Sequence, residues 1–289
     1  MFHMDRKLLE EDRRSPKNNV KKNFWFFIWS FVFFFGCRPQ LSYATLTAQW
    51  MQDLYSSRPE IKLRDIVVPG THNSGTSQMN LFSRISPGDP ILYQLIRPSI
   101  LSWSRCQFLN LYQQLINGIR KLDLRIAFVR SKPYIVHGMV SQSLEGALLD
   151  VKRFVLKHPQ EVVLIRFRKY FPLRKRDSDA VNASEERLTR NLFKQILGRS
   201  LRDFSQDVRF RDFWSQKQSV MIVNDIDDYW ANTTDLQDLR LKSTSHLNRR
   251  NPERFHEISL IFTSPEKFTF FLKPRIAFSF HARSNALSV

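Results

Sequence analysis

The stretch Ile66-Val67-Val68-Pro69-Gly70-Thr71-His72-Asn73-Ser74-Gly75-Thr76 decides how the rest of the chain is read. Three β-branched apolar residues running into Pro-Gly predict a buried strand that ends in a turn. The turn delivers a histidine flanked by an amide, two hydroxyls and a second glycine. A small polar loop at one end of a sheet is a common place for a proton-transfer group. The same residues also suit an ordinary turn carrying a surface histidine, so the rest of the chain has to decide.

Working outward, helical and strand-like segments alternate. Trp50, Met51, Leu54 and Tyr55 sit at helical spacing before the opening strand, and a Ser/Pro/Gly-containing loop over about residues 74–104 follows it. A short helix is expected around residues 109–116, then strand-like runs at 119–126, 134–136 and 161–167. Between the last two, Leu144, Ala147, Leu148, Val151, Phe154 and Val155 follow the i, i+3, i+4, i+7 rule of an amphipathic helix, with Ser143 as cap and Pro159 beyond its end. A further helix is read over about residues 184–197 and a doubly buried strand at 220–223. This alternation predicts a parallel α/β sheet in one domain, and 289 residues suit a TIM-type barrel.

The net charge is +18. Residues 1–44 hold eight Lys/Arg and four acids, a net of +4, so +14 falls on the remainder. That surplus favours a polyanion, either nucleic acid or an anionic membrane surface. Neither zinc-finger spacing nor an aromatic RNA-binding motif is present, which argues against nucleic acid. Two cysteines, Cys37 and Cys106, cannot make a disulfide framework or a Cys-rich zinc site.

The apolar run at residues 24–35 is shorter than the ~20 residues a bilayer-spanning helix needs. With Lys21 and Lys22 before it and Ser42-Tyr43-Ala44 after it, residues 1–44 read as a secretory signal, the alternative being an N-terminal anchor over 24–36. The expected location is the secretory pathway or outside the cell. Asn182-Ala183-Ser184 and Asn232-Thr233-Thr234 are acceptor triplets compatible with export.

Polar residues gather at the expected strand ends: His72 and Asn73, Asp123 and Arg125, His137, the run Arg166-Phe167-Arg168-Lys169-Tyr170, and Asn224-Asp225. A lone strand-end histidine is more often a hydrogen-bonding spacer, and Asp-x-Arg more often a local ion pair. Two histidines and several cations on successive strand ends suit phosphoryl chemistry, with one histidine as base, one as acid, and arginine on the non-bridging oxygens. The Walker loop, the Gly-x-Ser-x-Gly elbow and the His-Glu-x-x-His helix are all missing.

The segments Val68-Pro69-Gly70-Thr71-His72-Asn73-Ser74, Gln114 through Arg125, Val136-His137-Gly138, His158 through Leu164 and Trp230 through Asp235 together resemble the X domain of phosphatidylinositol-specific phospholipase C, in its animal X-domain-only form. The resemblance covers about residues 48–240. It implies a distorted TIM barrel that acts as a monomer on phosphatidylinositol at a membrane surface. In that reading His72 is the base on the inositol 2-hydroxyl and His137 the acid on the leaving diacylglycerol oxygen. The product is an inositol 1,2-cyclic phosphate. Asn73, Asp123 and Arg125 complete the candidate catalytic set, and Arg168 and Lys169 are candidate substrate contacts.

Arg125 stands where calcium-dependent members carry an acidic ligand, so no metal and no cofactor is expected; its guanidinium supplies the charge a calcium ion would bring. Tyr170 replaces an expected acid. Residues 240–289 diverge, and the family's last strands, with the aspartate that assists the first histidine, are not identifiable there. The barrel is therefore expected to be closed by divergent residues or to be shortened at its C-terminus. The rival reading is a secreted membrane-surface binder of the same fold with little turnover; a metal-dependent glycerophosphodiester-type barrel lacks its paired acids.

Overall fold

The computed structural model describes residues 47–170 and 183–260. The leader lies outside the described residues, as do residues 261–289 of the divergent region expected to close the barrel; residues 240–260 of that region are described. Ala44–Val289 forms one compact unit.

A seven-stranded mixed sheet organises this unit. Its strands are β1 (Gly70–Thr71), β2 (Lys121–Val129), β3 (Lys132–His137), β4 (Met139–Ser143), β5 (Val163–Lys169), β6 (Leu201–Arg202) and β7 (Val220–Ile222). The order is β4-β3-β2-β5-β7-β6, with β1 beside the start of β2. β1, β2, β5, β7 and β6 run parallel. Among the described residues the sheet does not close into a barrel. A separate parallel pair, β8 (Asp227–Trp230) and β9 (His256–Ser259), stands beyond it.

The expected opening strand is shorter than its sequence suggests. Ile66, Val67 and Val68 belong to no ladder, and Val67 is 73% exposed. Pairing starts only after Pro69, whose carbonyl accepts from both Arg120 and Lys121 amides. The 134–136 run is also not a parallel strand. Arg130 and Ser131 take positive φ (51° and 64°) and turn β2 directly back into the antiparallel β3. Two left-handed residues are what a tight hairpin requires, but Arg-Ser lacks the usual Asn-Gly signature.

On β2 and β5 the side chains alternate cleanly. Leu122, Leu124, Ile126, Val163, Ile165 and Phe167 face a core shared with three helices: α3 (Leu111–Ile116), α4 (Leu144–Lys157) and α5 (Ala183–Leu197). Two earlier helices are α1 (Trp50–Tyr55) and α2 (Arg97–Ser104); α2 lies inside the expected loop. α4 starts as expected: the Ser143 hydroxyl accepts from the Gly146 amide, a cap worth about 1 kcal/mol. α6 (Phe210–Ser215) and α7 (Leu236–Arg249) complete the set.

At the base of the sheet Arg120 and Glu161 form a fully buried ion pair at 2.7 Å. Arg120 also donates to the carbonyls of Leu115, Ile119 and Ala48, and Glu161 accepts from the Met51 and Gln52 amides. With these bonds made, the pair ties α1 and α3 to the sheet.

Candidate functional site

The opposite face of β2 and β5 carries Lys121, Asp123, Arg125, Arg166 and Arg168. Asp123 pairs in register with Arg166, and Arg125 with Arg168. Period-2 alternation therefore puts one row of charges on the side where the β1 turn ends. Asp123 sits at its centre, fully buried. Its Oδ2 lies 3.2 Å from His72 Nδ1 and 3.2 Å from Arg125 Nε, and it accepts from the Asn73 amide at 3.3 Å. Arg168 Nε is 4.0 Å from the other oxygen. Burial alone would raise the Asp123 pKa; the His72 hydrogen bond and the Arg125, His72 and Lys121 charges outweigh it and hold the carboxyl well below the usual range.

The β1 turn is locked onto β2. The Ser74 amide donates to the Asp123 carbonyl and the Asp123 amide to the Ser74 hydroxyl, both at 2.8 Å. Gln114 accepts from the Thr71 hydroxyl and donates to the Ser74 carbonyl, and Gln107 donates to the His72 carbonyl. Asn73 takes a positive φ of 49°, which asparagine tolerates, and donates to Cys106 Sγ at 3.5 Å. The Trp230 ring stands edge-on to His72 with centroids 5.4 Å apart.

His137 ends β3. It stacks on Trp103 at 4.6 Å, and its Nδ1 lies 3.1 Å from the Ser104 carbonyl. That bond assigns the Nδ1 proton and leaves Nε2 for chemistry. Burial first, then the His72 charge, lowers its pKa to about 4. Gly138 has φ +69°, and a Cβ there would meet Ser104 Oγ at 2.5 Å, so glycine alone lets the chain pass. The Gly138 amide donates to the Tyr170 hydroxyl, which donates to Asp89 Oδ2. Burial and then Asp89 raise the Tyr170 pKa, so its phenol stays protonated.

Of the expected residues, His72, Asn73, Asp123, Arg125, His137 and Arg168 converge. Lys169 does not join them. It points to the other face and pairs with Glu185 of α5 at 3.3 Å, lining a cavity of about 320 Å³ between that face and α5. Arg168 is tied to Asp228 at 3.0 Å, Arg166 to Asp228 and Glu257, and Lys121 to Glu257. Asp228, Glu257, Trp103, Cys106 and Asp89 join the site or its supports without having stood out in the sequence. Burial raises the Cys106 thiol pKa to about 11, so it is a neutral, inert neighbour.

The carboxylate beside His72 is already engaged by an imidazole and flanked by two guanidiniums. Among the described residues no cluster of three or more His, Cys, Asp or Glu side chains is arranged to hold a metal.

The fold of this mixed sheet and its helices is that of phosphatidylinositol-specific phospholipase C structures. Staphylococcus aureus phosphatidylinositol-specific phospholipase C superposes with a TM-score of 0.57 at 15% identity, covering 84% of this chain and 85% of that one. In sequence the chain is similar to several PI-PLC X domain-containing proteins. The chain is 34% identical over 128 residues to a PI-PLC X-box domain-containing protein of Dictyostelium discoideum, 44% of this chain but only 17% of that protein's length. It is 25% identical over 248 residues to PI-PLC X domain-containing protein 2 of Mus musculus, 75% of this chain and 70% of that one. To PI-PLC X domain-containing protein 1 of Homo sapiens it is 29% identical over 186 residues, 60% and 55% of the two chains. No family model matches the chain. The resemblance read from the sequence, and the barrel-type fold it implied, are borne out.

Proposed function

We propose that this chain cleaves the phosphodiester of phosphatidylinositol by paired histidine chemistry, without a metal. The observation that carries the reading is Asp123. It is a buried, ionised carboxylate on His72 Nδ1, which fixes the imidazole with Nε2 available as a base.

His72 takes the proton of the inositol 2-hydroxyl. The resulting oxygen attacks phosphorus, and the bond to the diacylglycerol oxygen breaks as His137 protonates that oxygen, leaving a 1,2-cyclic phosphate. Before substrate binds, His137 is neutral at pH 7, its pKa lowered to about 4. A bound diester brings one negative charge close to it and raises its proton affinity, so substrate itself arms the acid. Arg125 and Arg168 supply the charge that stabilises the pentacoordinate phosphorus; loss of one such donor costs about 10²–10³-fold in rate. The Asn73 side-chain oxygen, buried without a hydrogen-bond partner, is an acceptor for a substrate hydroxyl.

The test is release of water-soluble inositol phosphate from phosphatidylinositol vesicles, with and without a calcium chelator, by the native chain, His72→Ala and His137→Ala. Chelator-resistant release that both substitutions abolish is expected. Equal release by all three proteins would overturn the mechanism. Release lost on chelation would overturn its metal independence. Vesicle binding with no release by any of them would favour the lipid-binding alternative.

A further inference from the structure

Two carboxylates reach the charged row of β2 and β5 from the β8–β9 pair. Asp228 and Glu257 are register partners there, and like charges facing each other across strands are destabilising. Arg166 stands between them. Its Nη1 lies 2.7 Å from Glu257 Oε2 and 3.1 Å from Asp228 Oδ2. Glu257 also pairs with Lys121, and Asp228 Oδ2 with Arg168 Nη1 at 3.0 Å. Signs therefore alternate without a break through Lys121, Glu257, Arg166, Asp228 and Arg168. The run ends at Asp123, 4.0 Å from Arg168, and so at His72.

The two ends of this run differ. The side chains of Arg166, Lys121 and Glu257 are only 8, 12 and 14% exposed, whereas those of Asp228 and Arg168 are 30 and 32% exposed. The buried end is thus the anchor and Arg168 the open end. No ladder joins β8–β9 to the seven-stranded sheet among the described residues, so these ion pairs link the C-terminal strands to the catalytic row. Arg166 and Arg168 converge on the same oxygen, Asp228 Oδ2. The Arg166 charge works against the Arg168 charge, and the Asp228 charge supports it. How firmly Asp228 holds Arg168 therefore depends on what else holds Arg166.

We propose that Glu257, in the divergent region beyond residue 240, is a positioning residue for Arg168. By occupying Arg166 and Lys121 it leaves Asp228 to fix the Arg168 guanidinium beside Asp123, where it meets a phosphate oxygen. That last contact rests on the phospholipase reading. Without the Glu257 charge, Arg166 turns to Asp228 and Arg168 loses its place.

The experiment compares the full chain with Glu257→Gln, Arg168→Met and the double variant in cleavage of a water-soluble inositol phosphodiester. Glu257→Gln is expected to lower kcat by about tenfold to 10²-fold, the range a misplacement on the order of 1 Å can reach. In the Arg168→Met background the same substitution is expected to cost nothing further. Native kcat in Glu257→Gln, or losses that multiply in the double variant, would overturn the proposal. Side-chain ¹⁵N NMR supplies a readout apart from activity. The Arg168 Nε–H signal, assigned by its loss in Arg168→Met, is expected to be sharp in the native chain and broadened by solvent exchange in Glu257→Gln. An unchanged signal would also overturn the proposal. Should Glu257→Gln fail to fold, Lys121→Met/Glu257→Gln, which removes one charge of each sign, takes its place with Lys121→Met as its reference. No cleavage by the native chain would sink the phospholipase reading, and the Arg168 signal would still decide the positioning.

Discussion

His72 Nδ1 and Asp123 Oδ2 lie 3.2 Å apart, the first on the turn after β1 and the second inside β2. The histidine of the opening stretch therefore has its carboxylate partner on the neighbouring strand, within the described residues. Asp123 thus orients His72 whatever residues 261–289 contribute.

Asp123→Asn keeps the shape and removes the acceptor charge that fixes the His72 tautomer. A fall of about 10²–10⁴-fold in kcat is expected, the span general acid–base groups contribute, with vesicle partition unchanged. A variant with native kcat would show that His72 needs no orienting carboxylate.

Tyr170→Phe deletes the one hydroxyl linking Asp89 to the Gly138 amide beside His137. Tyr170 is a positioning residue, so kcat should fall about tenfold with KM held, while the melting temperature moves by only a few degrees, as for a hydrogen bond of about 1 kcal/mol. The acid limb of the pH–rate profile should shift as His137 loses its fixed environment. A proportional change in KM with kcat intact would contradict this role.

Glu161→Gln leaves Arg120 buried without its counter-charge. Breaking a buried ion pair from one side typically costs 3–5 kcal/mol, a large share of a domain's ~5–15 kcal/mol stability. Urea unfolding should show a lowered midpoint. An unshifted midpoint would mean the pair is dispensable.

His137 gives stability a pH dependence of known sign. Its folded pKa of about 4 lies below the ordinary 6.5, so between these values the unfolded chain binds more protons. Its contribution is full above about pH 6.5 and drains as pH falls towards 4, by on the order of 3 kcal/mol across the window. Denaturant midpoints at pH 7 and pH 5 should differ more for the native chain than for His137→Gln. Equal differences would contradict the neutral, half-buried imidazole.

Much of this site was legible because strand ends in a parallel sheet converge whatever joins them. His72, Asp123, Arg125 and Arg168 could be gathered on that rule alone. Lys169 could have been excluded by the same rule, since alternation sends it to the face opposite Arg168. His137 arrived by another route, on a hairpin whose Arg130-Ser131 turn carries no sequence signature. Trp103, Ser104, Cys106 and Asp89 were hidden because loop contacts across 30–80 residues leave no local pattern. α2 was missed inside a Ser- and Pro-containing stretch because its buried face, Ile100 and Ser104, is too small to set a period.

The most direct test of the paired-histidine account is ³¹P NMR of phosphatidylinositol dispersed with the native chain and with His72→Ala. The account predicts that the diester resonance is replaced by that of a five-membered inositol 1,2-cyclic phosphate with the native chain and persists with His72→Ala. Conversion at the same rate by both proteins, or a product that never passes through the cyclic phosphate, would contradict it.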